Sequence, residues 1–111
     1  MATPKHTAIT ADIRIATVRR SHSVCRLGPT GYYRSRSHST HNHVEVLVGE
    51  RWVLVCSETR ELEVLLGKGK RELRRLLATD AGRTLVREAA AAQQARADRI
   101  MTEILSARGA A

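Results

Sequence analysis

Phenylalanine is missing from this chain, and aromatic residues number only three: Trp52, Tyr32 and Tyr33. Any core must therefore be assembled from Val, Leu, Ile and Ala, which bury less area apiece than rings do. A core this thin is commonly supported by oligomerisation or by a metal. Cysteine is also scarce. Cys25 and Cys56 are too few for a disulfide framework, so the expected setting is the reducing cytoplasm. Apolar runs are no longer than a strand, and none at the N-terminus reads as a signal peptide, so no membrane is expected among the partners.

Catalytic signatures are lacking too. No carboxylate pair sits in a recognisable acid–base context, and Gly67-Lys68-Gly69 is too short for a phosphate-binding P-loop. His22 with Cys25 has no flanking signature of a nucleophile and its base. The chain is read as a non-enzyme.

The most telling absence is that of acid. Between Asp12 and Glu45 lie 32 positions with no Asp or Glu, six arginines and four histidines. Arg14, Arg19, Arg20, Arg26, Arg34 and Arg36 alternate there with His22, His38, His41, His43 and the two tyrosines. The net charge of +8 divides as +6 over residues 1–44 (seven basic, one acidic) and +2 over residues 45–111 (twelve basic, ten acidic). Such asymmetry calls for an anionic partner, and a phosphate backbone is the commonest.

At 111 residues, 42% apolar and 27% charged, the chain suits a single domain spanning 1–111. Residues 1–7 read as a loose start. Ile13, Ile15 and Thr17 alternate with Asp12, Arg14 and Ala16, the pattern of a half-buried strand over 8–18. Residues 19–43 show no periodicity, are rich in Ser and Thr, and carry turn residues at Gly28-Pro29 and Gly31. They are expected to form a long basic loop with room for a short strand at Arg26-Leu27 and Tyr32-Tyr33.

A central hairpin at 44–56 follows, two apolar runs around Gly49-Glu50 that predict a type II′ turn. Setting Val48 opposite Arg51 puts Val44, Val46, Val53 and Val55 on one face and His43 opposite Cys56. Glu61–Leu66 suits a third meander strand, with a helix nearly as suitable. Lys70–Leu77 reads as a short basic helix with Leu73, Leu76 and Leu77 inward. Thr79-Asp80 can cap a long helix at about 80–107. Its core of about 26 residues, from about Ala81 to Ser106, would measure roughly 40 Å. That exceeds the diameter of about 34 Å expected of a compact body this size. The helix is apolar at both ends, with Leu85 and Val86 at one and Ile100, Met101, Ile104 and Leu105 at the other; a second helix could lie along the small residues Ala89–Ala92, Ala95 and Ala97 between them, so self-association or partner binding is expected. The fold class expected is α+β, with a small antiparallel sheet of three or four strands followed by the two helices.

The leading expectation is a small basic nucleic-acid-binding protein of a bacterial or phage accessory kind, oligomeric through its C-terminal helix. Arg19, Arg20, Arg26, Arg34 and Arg36 would contact phosphates, and Tyr32 or Tyr33 would stack on a base. Lys68, Lys70, Arg71, Arg74 and Arg75 form a second basic group, which taken alone reads as a solvated helix face. No cofactor is expected. The rival reading is a zinc ion on Cys25, His41, His43 and Cys56, a mixed imidazole–thiolate set that lacks the C-x-x-C spacing of common zinc sites. An alternative function is protein–protein assembly, as a phage structural subunit or an inhibitor of a host protein, with the basic loop meeting an acidic protein surface.

Overall fold

The computed structural model describes residues 3–109 and has an α+β architecture. Four strands, β1 (Lys5–Ala8), β2 (Ile13–Gly28), β3 (Gly31–Val48) and β4 (Arg51–Leu54), form one antiparallel meander in the order β1-β2-β3-β4. Three helices follow: α1 (Arg60–Leu66), α2 (Lys70–Leu77) and α3 (Asp80–Gly109).

The β3–β4 turn has the expected register, with Val48 opposite Arg51, Leu47 opposite Trp52 and Val46 opposite Val53. Gly49 takes a φ of +63° while Glu50 keeps a negative one, the combination a type II′ turn requires. The ladder ends at Glu45–Leu54, followed by one bond from the Val55 amide to the Val44 carbonyl, 2.9 Å. Cys56 then leaves β3. Its amide donates to the Gln93 side chain on α3, 3.3 Å, so the expected pairing of His43 with Cys56 does not form.

Three further expectations are corrected. Residues 5–8 of the supposed loose start pair with β2, Lys5 opposite Thr17 and Ala8 opposite Arg14; residues 1 and 2 lie outside the described residues. Residues 9–12 form a bend rather than the start of β2, with the Ile13 carbonyl accepting from the amides of Ile9 and Thr10. Residues 61–66 are helical. The Thr59 hydroxyl caps α1 by accepting from the Leu62 amide, 3.2 Å, and Leu62 and Leu65 are buried three residues apart while Val64 is exposed.

The largest correction concerns residues 19–43. They are no loop but the outer halves of β2 and β3, paired without interruption from Ile13–Val46 to Gly28–Gly31. Each pair of residue numbers adds to the same sum, so the ladder carries no bulge. Beyond Thr17 on one strand and Asn42 on the other, β1 and β4 contribute no pairing, and the two strands continue alone as an arm. Ten residues of rise from Val18 to Gly28 give it a length of roughly 33 Å.

The helices cover one face of the sheet. Ile13, Ile15, Val44, Val46 and Val55 pack there against Leu62, Leu65, Leu73, Leu77, Val86 and Ala90. At about 25 cal/mol per Å² this aliphatic layer drives the body to fold. Gly82 lets α3 start close against α2: a Cβ at that position would lie 2.1 Å from the Leu76 carbonyl oxygen. The opposite sheet face carries Arg14, Glu45 and Trp52. The Arg14 guanidinium lies 3.9 Å from the centre of the indole ring and donates to Glu45 Oε1 at 2.7 Å.

Arg87 of α3 ties the helix to the sheet by donating two bonds to Asp12, 2.8 and 2.9 Å. These bonds hold the Asp12 carboxyl down at about 2. Arg96 donates to Glu58, which lowers that carboxyl as well. Beyond this point α3 leaves the body. Every described residue from Ala95 to Gly109 is exposed, including Ile100, Met101, Ile104 and Leu105. Arm and helix together raise the radius of gyration to 18.9 Å, against about 13 Å for a compact chain of this length.

Candidate nucleic-acid interface

Period-2 alternation and the unbroken register assign each arm side chain to a face. The face continuing the helix-covered side carries Arg19, Arg34 and Arg36, with His38 and Tyr32. The other face carries Arg20 and Arg26, with His22, His41 and Tyr33. The expected phosphate-binding arginines are therefore all on one ribbon, three on one face and two on the other.

Arg14, in the four-stranded body near the start of β2, is matched by Glu45. Among the described residues, none of Arg19, Arg20, Arg26, Arg34 or Arg36 makes an ion pair, and all five are exposed. Exposed polar side chains hold the two strands in register. Ser21 bonds His38 at 2.9 Å across the ladder, and the Ser39 hydroxyl bridges His22 and His41 at 2.8 and 2.9 Å. Thr17 donates to Asn42 at 2.9 Å where the arm leaves the body.

The tip closes through Pro29-Thr30, with Gly31 at a φ of +120°. The two tyrosines behave differently there. A Cβ placed on Gly28 would lie 2.9 Å from the Tyr33 ring, so that ring is seated over the glycine backbone. Tyr32 is 77% exposed. Opposite it in the ladder stands Leu27, 72% exposed, with Val24 further down the arm also exposed. Leu27 and Val24 were not among the expected site residues. The Leu27-Gly28-Pro29 sequence marked Leu27, since an aliphatic residue beside a tight turn has little to pack on.

The second basic group is only partly joined to the arm. Lys68 lines an open groove of about 630 Å³ at the arm's root, together with Thr40, Asn42, Leu54, Ser57 and Gly67. Lys70, Arg71 and Arg74 flank a separate depression on α2, and Arg75 is matched by Glu72 at 2.8 Å.

The four residues of the zinc reading do not come together. His41, His43 and Cys56 border the same root groove, but Cys25 stands opposite Arg34 on the arm. It lies seven residues beyond Val18, the partner of His41, roughly 23 Å away. Among the described residues no group of three or more His, Cys, Asp or Glu side chains is arranged to hold a metal ion. Both cysteines are free and exposed. No helix among the described residues is long and apolar enough to cross a membrane. Comparison with protein-family models, with curated proteins and with solved structures finds no match to this chain.

Proposed function

We propose that this chain is a non-enzymatic nucleic-acid-binding protein whose β2–β3 arm is the contact surface, working as an accessory factor in a bacterial or phage cytoplasm. One observation carries the reading: five unpaired guanidinium groups stand on a projecting two-stranded ribbon that has no carboxylate between residues 13 and 44. A two-stranded ribbon is a shape that the major groove of B-form DNA, about 12 Å wide, admits. Cationic side chains on both of its faces can then meet the phosphate walls on either side, releasing counterions as they do. Lys68 at the arm's root adds a cation where a duplex lying along the ribbon would meet the body.

The exposed end of α3 supports self-association. Ile100, Met101, Ile104 and Leu105 recur at helical spacing on a segment whose described residues are all exposed, and a second copy of that helix would cover them. The same apolar end is the one observation favouring the alternative, an assembly protein whose arm meets an acidic protein surface.

The test is direct. Protein purified before and after a high-salt wash is compared by its 260/280 nm absorbance ratio, then titrated against labelled duplex DNA, duplex RNA and single strands at ~50 mM salt, where phosphate contacts are strongest. Binding that weakens steeply with salt is expected. Absence of affinity for every nucleic acid at that salt refutes the proposal.

A further inference from the structure

The tip of the arm deepens this reading, on which it rests. Leu27 and Tyr32 are directly opposed and share a face, 72% and 77% exposed, at the point of the molecule furthest along the arm from the aliphatic core. The ladder holds without them, since backbone bonds and the Ser–His pairs set its register. The neighbouring Tyr33 has a structural occupation, its ring lying over Gly28. Tyr32 has none. Charge surrounds this apolar pair. Arg26 stands opposite Tyr33, and Arg34 stands opposite Cys25 on the same face as Tyr32.

An apolar, partly aromatic point on a polycationic arm is complementary to a polyanion with an apolar, planar interior, which describes a stack of base pairs. Proteins that kink DNA insert apolar side chains between base steps and offset the unstacking by contacts along the bent duplex. A-form RNA presents a deep, narrow major groove that side chains do not read, so the fit is to DNA. We propose that Leu27 and Tyr32 form a wedge that enters between two base pairs of duplex DNA, with Tyr33 holding the tip in shape and Arg26 and Arg34 on the adjoining phosphates.

The experiment uses the full chain and a duplex of about 30 base pairs carrying 2-aminopurine at several alternative positions. Anisotropy reads binding, 2-aminopurine fluorescence reads unstacking, and end-to-end energy transfer reads bending. The native chain is expected to bind, to brighten 2-aminopurine several-fold and to shorten the end-to-end distance. The doubly substituted Leu27→Ala, Tyr32→Ala chain is expected to bind within about tenfold with the same salt dependence, while losing the brightening and the bend. Both side chains are exposed, so the variant should keep its circular dichroism spectrum. Binding without brightening at any position, or brightening undiminished in the variant, overturns the wedge while leaving the arm as a nucleic-acid contact. Failure of anisotropy to detect binding to this duplex overturns the wedge; failure with duplex RNA and single strands as well overturns the wider reading, as does tighter binding to polyglutamate than to any nucleic acid.

Discussion

Neutralising the arm in pairs tests which of its faces a polyanion touches. With all five arm arginines on phosphates, the slope of log K against log salt should be about −4.5, so raising salt from 50 to 200 mM weakens binding by about 500-fold. Replacing Arg34 and Arg36 by Ala removes two contacts, lowers the slope to about −2.7 and reduces the loss to about 40-fold. Arg20 and Arg26 lie on the opposite face, and the same pair substitution there should give the same slope if the ribbon sits inside a groove. A duplex lying on the helix-side face alone would respond only to Arg34 and Arg36, with about −2.7 as the starting slope. The assay is fluorescence anisotropy at four or five salt concentrations. All four residues are exposed, so equal urea midpoints across the variants are expected and serve as the control. Slopes unchanged in both variants would refute the arm as the contact surface.

Three other outcomes follow from the body and the long helix. Leu73→Ala empties a fully buried site on α2 in the aliphatic core and should lower stability by about 2–5 kcal/mol, read from urea denaturation. Asp12 is depressed from 3.8 to about 2 by Arg87, so its contribution is fully present above about pH 4 and is lost as pH falls towards 2. The urea midpoint of the native chain should fall across that interval more steeply than that of an Asp12→Asn variant; parallel curves would contradict this. Ile100→Asp with Ile104→Asp, at two exposed positions, should leave the circular dichroism spectrum intact and reduce the mass found by light scattering to that of a single chain.

Those elements with one buried side were legible in the sequence. The valine alternation and Gly49 gave the register of the central hairpin, and Leu73 with Leu77 gave α2, because burial on a single side imposes a period. The arm has no buried side. Both of its faces are polar and solvated, so no alternation of hydropathy marks it, and its residues read as a loop. A geometric clue was nonetheless present: the turn at Pro29-Thr30 lies midway between Ile13–Val18 and His41–Val46, as a single long hairpin requires. In α1, the letters of Glu61–Leu66 suit a strand and, nearly as well, a helix. Thr59 decides between them through a cap that a strand would have no use for. The candidate site residues were nearly all legible by their charge, whereas the different placement of Tyr32 and Tyr33 depended on the neighbouring Gly28, whose missing side chain seats the Tyr33 ring while Tyr32 stays exposed.

Because the ribbon is unbulged, its two outer margins each offer a long row of unpaired amides and carbonyls, the template on which neighbouring molecules zip together. Five like charges on two sides make that approach repulsive. The arginines that would grip a polyanion therefore also act as gatekeepers against fibre formation, and a chain stripped of them would trade its ligand for copies of itself.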